Sequence, residues 1–191
     1  IRPCIGCHIG CLGRGFEGKP LCCAVNPEAC RESFYRITPS LVSKNVMVAG
    51  GGPAGMETAR VAKLRGHSVT LYESTDQLGG NFIAASIPDF KYDDRRLIEW
   101  YRNEMNELKI NVVLNTPVDD ELITAKKPDV LIIATGSTEK MLKVAGSEKP
   151  KVATAVQLLT GSKSAGRNVV MIGGGLVGCE TALYLARQGS S

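Results

Sequence analysis

Apolar residues follow three rhythms along this chain, and its first segment follows none. Val46-Met47-Val48-Ala49 is a short continuous apolar run, as expected of a strand covered on both faces. Glycines follow at once, and residues 54–65 then predict a helix closed by Gly66, a favoured residue just past a helix end. Ser68 to Glu73 alternates, which predicts a second parallel strand. Over residues 92–109, Leu97, Ile98, Tyr101, Met105 and Leu108 share one helical face. Val112 to Leu114 reads as a strand, and Val130 to Ala134 as a fully apolar, buried one. After a linker at 161–166, a second strand-glycine-helix unit starts at Asn168 and continues to Ser191.

Residues 1–43 are rich in Cys, Gly and Pro and show no sustained period, so they read as loops around something other than a hydrophobic core. The pattern divides the chain into segments 1–43, 44–160 and 161–191. Alternating strands and helices point to an α/β fold with a parallel sheet. One internal repeat stands out: Val48-Ala-Gly-Gly-Gly-Pro-Ala-Gly and Met171-Ile-Gly-Gly-Gly-Leu-Val-Gly are the same device used twice.

Composition narrows the classes. The 191 residues suffice for one substantial core or two small ones. With 43% hydrophobic and 22% charged residues, the chain has an ordinary globular make-up. A net charge of +4, with no basic block longer than two residues, gives no case for a nucleic-acid or membrane surface. No apolar run reaches membrane-spanning length, and the first ten residues lack the apolar core of a signal peptide, so a cytoplasmic location is expected. A start at Ile1, with a dense cysteine cluster close behind it, suggests a piece of a longer polypeptide.

Six of the seven cysteines (Cys4, Cys7, Cys11, Cys22, Cys23 and Cys30) lie in the first 30 residues, and Cys179 is alone. Such clustering points to metal ligation rather than a disulfide scaffold. Cys4, Cys7 and Cys11 form a C-x2-C-x3-C run, with a fourth thiolate available at Cys22 or Cys23. Three closely spaced thiolates and a distant fourth suit an iron-sulfur cubane. Structural zinc is the alternative, but zinc sites more often pair two CxxC knuckles. His8 reads as an ordinary hydrogen-bonding loop residue, and Cys30 as a thiol outside the shell.

Gly50, Gly52 and Gly55 follow an apolar strand and open a helix, the context in which a G-x-G-x-x-G sequence signals dinucleotide binding. The first glycine permits the tight turn, the second lets backbone approach a pyrophosphate, and the third lets helix and strand pack closely. The helix N-terminus carries about half a positive charge, which suits a diphosphate. Glu73, 18 residues after Gly55, stands where an acid accepts hydrogen bonds from ribose hydroxyls. The alternative is a glycine turn with no ligand. Gly173, Gly175 and Gly178 repeat the motif, but the strand whose terminal residue would select NADH or NADPH is not in the sequence. The fold class is therefore a Rossmann-like FAD/NAD(P)-binding α/β fold, preceded by an irregular Cys-rich segment.

Taken together with Ala134-Thr135-Gly136, these features resemble the C-terminal part of the iron-sulfur flavoenzymes related to old yellow enzyme, of the 2,4-dienoyl-CoA reductase and enoate reductase type. The resemblance covers essentially the whole chain. It is most specific from Arg2-Pro-Cys-Ile-Gly-Cys through Cys11-Leu-Gly-Arg to Cys23-Ala-Val-Asn-Pro27 and Arg31-Glu32. It implies a 4Fe-4S cluster on Cys4, Cys7, Cys11 and Cys23. It also implies FAD contacts at Gly50, Gly52, Pro53, Ala54, Gly55, Glu73, Gly80, Asn81, Lys91, Val118, Ala134, Thr135 and Gly136, and NAD(P)H at Gly173, Gly175 and Gly178. Asn81 stands where relatives usually carry Gln, which shortens or removes that contact. Lys91 would meet the diphosphate, and Val118 the adenine through its backbone.

The family resemblance implies hydride transfer from NAD(P)H to FAD and single-electron passage through the cluster. An FMN in an N-terminal barrel then reduces an activated carbon-carbon double bond in a small unsaturated substrate. The barrel is not in this sequence, so no catalytic residue is assigned, and the chain alone is expected to bind FAD poorly and reduce nothing. A homo-oligomer is compatible with this reading. The C-x2-C-x3-C spacing resembles the reductases rather than amine dehydrogenases of the trimethylamine dehydrogenase type, which hold ADP in the first fold. A stand-alone electron carrier or a non-catalytic, metal-stabilised nucleotide-binding module remains a further alternative.

Overall fold

In the computed structural model, which describes residues 1–190, the apolar run at Val46 to Ala49 lies inside the sheet. β1 (Asn45–Ala49) pairs in parallel with β2 (Ser68–Tyr72) on one side and with β4 (Val130–Ile133) on the other. β3 (Asn111–Val113) pairs in parallel with β2, giving the order β3-β2-β1-β4 among the described residues. The chain steps outward from β1 through β2 to β3 and then returns to the opposite side of β1 at β4. In doubly wound sheets such a reversal marks the crevice for ligands, which here falls at the carboxyl ends of β1 and β4. Ala134 N–H donates to Ala49 O at 2.8 Å and carries the pairing to the crevice mouth.

Short helices at Arg14–Phe16 (α1), Asn81–Ala85 (α3), Asp120–Lys126 (α5) and Ala155–Leu159 (α6) accompany two long ones that cover the sheet. α2 (Pro53–Leu64) begins with Pro at its first turn, where the ring's fixed φ suits a helix and no needed donor is lost. It ends as expected, with Gly66 at φ +88° and His67 N–H donating to Ala62 O at 3.1 Å. α4 (Tyr92–Glu107) turns the expected stripe inward, burying Leu97, Ile98, Tyr101 and Met105. Leu97, Tyr101 and Met105 join Val46, Val48, Met56, Ala59, Val69 and Leu71 in one core. The short helices rest on local caps. Asp119 accepts from Leu122 N–H at 2.8 Å, and Thr154 with Gln157 closes a capping box.

Two expectations are corrected. Val130 to Ala134 is not a buried strand: β4 is the sheet edge, and Ile133 is 74% exposed because no neighbour covers that end. Val169 to Ile172 forms no ladder, since no other described segment pairs with it; Val170 and Ile172 are exposed. The helix of the second unit does form, as α7 (Leu176–Arg187), and Ser191 of the third segment lies outside the described residues. No described helix is long and apolar enough to cross a membrane.

The cysteine segment is irregular, as its composition implies. A π-type turn at Ile9–Gly13 is closed by Gly13 N–H donating to His8 O at 2.8 Å. Ile5 and Val25, one near each end of the cysteine set, pack against the sheet's core.

Leu71 on β2 is fully buried in the core, so Leu71→Ala should lower the unfolding free energy by about 2–5 kcal/mol. Ile133→Ala at the exposed edge should change it by less than about 0.5 kcal/mol. Urea unfolding of both variants checks this, and equal small effects would contradict the assigned core.

Candidate functional site

The first glycine turn is shaped by two close approaches of backbone to backbone. Gly50 has φ +111°, and a Cβ there would lie 2.2 Å from the Ala134 carbonyl oxygen. A Cβ on Gly55 would lie 1.8 Å from the Gly50 carbonyl oxygen. Only glycine at both positions lets α2 start directly above β1 and lets β4 lie alongside. Gly52 caps the helix with extended backbone, so the free N–H groups of the first turn open toward the crevice. Pro53 and Ala54 form that turn, and Ala134-Thr135-Gly136 borders it from β4. Gly80 approaches from the other side: a Cβ there would come within 3.2 Å of Gly52 Cα.

Glu73 follows β2 directly and is buried. One carboxylate oxygen accepts from Gly51 N–H at 2.7 Å. The other accepts from Thr75 N–H at 2.8 Å, Thr75 Oγ1 at 2.9 Å and Ser74 Oγ at 3.2 Å. Burial pushes its pKa up, but the hydrogen bonds from Thr75, Gly51 and Ser74 together outweigh burial and hold it below the ordinary value. The acid expected at the ribose is thus locked as a carboxylate against the glycine turn. Thr116 N–H donates to Glu73 O at 2.9 Å, which brings the loop carrying Val118 beside it.

Other residues named from the sequence have protein partners. Asn81 Nδ2 donates to Ser137 O at 2.7 Å, tying the Gly79-Gly80 loop to the segment after β4. Lys91 Nζ pairs with Glu180 Oε1 at 2.7 Å. Buried Asp94 sits beside that pair; burial raises its pKa first, and the Lys91 charge opposes the shift. Arg187 grips Asp89 at 2.9 and 3.1 Å, so α7 is held to the loop before α4 at two points. The second glycine turn copies the first: Gly173 has φ +109°, and a Cβ on Gly178 would lie 2.0 Å from Gly173 O.

None of the seven cysteines is joined in a disulfide. Gly6 N–H donates to Cys4 Sγ at 3.3 Å. Cys22 N–H donates to Gly10 O at 2.9 Å, and a Cβ on Gly10 would press on Cys22, so the Cys7–Cys11 turn and the Cys22-Cys23 segment are neighbours. Among the described residues no three His, Cys, Asp or Glu side chains converge on a single-ion site. Thiolates that hold a cubane occupy the corners of a larger body, and a set made of thiols alone suits such a cluster.

Sequence reasoning assigned no role to Gly51, Thr75, Arg2 or Glu57. The last was detectable, because the glycine repeat extends through Glu57-Thr58-Ala59 and Glu180-Thr181-Ala182.

The pyridine nucleotide-disulphide oxidoreductase model matches residues 15–127 and 44–191. The chain belongs to that family. It is 44% identical over 189 residues to the cinnamate reductase of Clostridium sporogenes, covering 99% of this chain and 28% of that one. Against the NADH oxidase of Thermoanaerobacter brockii it is 44% identical over 196 residues, covering all of this chain and 30% of the relative. The solved structure of a 2-naphthoyl-CoA reductase in complex with 2-naphthoyl-CoA superposes with a TM-score of 0.94 at 37% identity, over 98% of this chain and 29% of that one. The chain thus spans under a third of the length of these relatives. Each is named for an oxidoreductase activity, in keeping with the resemblance to reductases read from the motifs.

Gly50→Ala should destabilise the fold by about 1–3 kcal/mol from backbone strain alone, read by thermal unfolding. An unchanged midpoint would contradict the close approach to Ala134. The Glu73 contribution to stability should be complete above its ordinary pKa of 4.5 and fade as pH falls through the lower folded value. Urea unfolding across that range should show an acid limb that Glu73→Gln flattens; identical pH profiles would refute the carboxylate's role.

Proposed function

We propose that this chain is the electron-relay segment of an NAD(P)H-dependent flavin oxidoreductase. FAD would lie in the crevice between the Gly50–Gly55 turn, Glu73 and Ala134-Thr135-Gly136. A 4Fe-4S cluster would sit on Cys4, Cys7, Cys11 and Cys23, and the nicotinamide nucleotide would meet the turn at Gly173, Gly175 and Gly178. One observation carries this reading: the cysteine-rich segment and the bare glycine turn at Gly50–Gly55 are built onto the same core. The superposition on 2-naphthoyl-CoA reductase supports it.

The division of labour follows from the residues. When bound, the flavin would take two electrons and a proton as hydride and release electrons singly, and a cluster carries one at a time. The chain's own part is to hold and orient. The α2 N-terminus would meet the diphosphate, the Glu73 carboxylate the ribose, and the thiolates the iron. The acceptor is proposed to be an FMN barrel elsewhere in a longer polypeptide, reducing an activated double bond in a small unsaturated molecule. Segments 1–43, 44–160 and 161–191 would then be the cluster unit, the FAD unit and the opening of the nicotinamide unit.

Iron, acid-labile sulfide and extracted-nucleotide analysis of the full-length protein tests the reading. About four iron and four sulfide per chain are expected, with FAD in the extract. Zinc without sulfide would overturn it. ADP in place of FAD would move the chain to the amine dehydrogenase alternative.

A further inference from the structure

Arg2 lies two residues before Cys4, and Val25 lies two residues after Cys23. The Arg2 guanidinium donates through Nη1 to the Val25 carbonyl oxygen. Through Nη2 it donates to both Glu57 carboxylate oxygens at 2.9 Å. Its Cζ lies over the Trp100 ring on α4, 4.5 Å from the ring centre. Both side chains of the pair are largely buried, at 11% and 19% exposure. Glu57 is on α2, the helix opened by the first glycine turn.

We propose that Arg2 is a positioning residue that closes the cysteine-bearing segment on itself and fixes it to the helix of the first glycine motif. This rests on the reading of those cysteines as cluster ligands. The site uses what only arginine offers: a fork that reaches a carbonyl and a carboxylate together, and a planar cation that stacks on indole. Glu57 has a second cation, since Arg60 donates to its two oxygens at 3.0 Å from the same helix. Arg60 alone could balance the Glu57 charge. What Arg2 adds is the mechanical connection, because it is the member of the set that comes from the cysteine segment.

The internal repeat makes the same point independently. Glu57 and Glu180 occupy equivalent places, each two residues after the third glycine of its motif. Each captures a cation from a different segment: Arg2 in the first copy, Lys91 at 2.7 Å in the second. In both copies this glutamate is where a neighbouring unit is fastened to a nucleotide-binding helix. The consequence for the first copy is a fixed separation between thiolates and the flavin crevice.

The test uses the full-length protein with its cofactors, as wild type, Arg2→Gln, Arg2→Lys and Glu57→Gln. Iron and sulfide content, the EPR spectrum of the reduced cluster, and the separate rates of flavin and cluster bleaching after mixing with NADH are read. In Arg2→Gln, flavin bleaching should be unchanged. Cluster bleaching should slow by about tenfold or more, or the cluster should be lost while the nucleotide stays bound. Arg2→Lys should recover part of the rate. Wild-type cluster content, EPR spectrum and bleaching rate in Arg2→Gln would overturn the proposal. Should Arg2→Gln fail to fold, Glu57→Gln decides: slowed cluster bleaching supports the link, and a wild-type rate removes it. A wild-type protein without sulfide would instead refute the relay reading before any variant is compared.

Discussion

The carbonyl oxygens of Ala134 and Gly50 leave no space for side chains at Gly50 and Gly55, and the rest of the site follows from that crowding. Because the turn is bare, α2 starts at the end of β1 without an intervening loop and directs its first N–H groups over the sheet edge. Because β4 lies on the far side of β1 from β2, that helix end faces a crevice instead of a neighbouring strand. Glu73 then closes the turn from the β2 side through Gly51. A carboxylate that donates no proton, held by four hydrogen bonds, makes a fixed acceptor at the crevice wall.

The cysteine segment has almost no core of its own, so its position depends on what it borrows. Ile5 and Val25 add apolar contact to the sheet's core. The Arg2, Glu57, Arg60 and Glu104 group adds charge, stacked on Trp100. Burial costs these ions solvation, and the set survives because positive and negative groups match and are hydrogen-bonded. Such a group contributes direction more than stability. Each geometric requirement of the fork and the ring narrows the ways in which the segment can sit.

Much of this was legible in the sequence because it follows from local chemistry. An apolar run marked β1, alternation marked β2, the stripe from Leu97 to Leu108 marked α4, and the glycine spacing marked the turn between β1 and α2. The short helices were not legible, since α5 and α6 rest on single caps at Asp119 and Thr154 rather than on periodicity. The exposure of β4 was misread because apolar character cannot report whether a neighbour lies alongside. Val169 to Ile172 has strand-like residues but no ladder, for the same reason: pairing is a property of two segments. Lys91 shows the limit most plainly. Only the family resemblance connected it with a diphosphate; its partner in the fold is Glu180, distant in sequence and brought close by α7.

If thiolates and the glycine-turn crevice form one electron-carrying unit, NADH must reduce both a flavin and a cluster in the same molecule. Anaerobic titration of the full-length protein with NADH, followed by visible absorption and low-temperature EPR on the same sample, tests it most directly. Flavin absorbance is expected to bleach and a reduced 4Fe-4S signal to grow in proportion to the chain. Flavin bleaching with no iron-sulfur signal at any NADH concentration would contradict it.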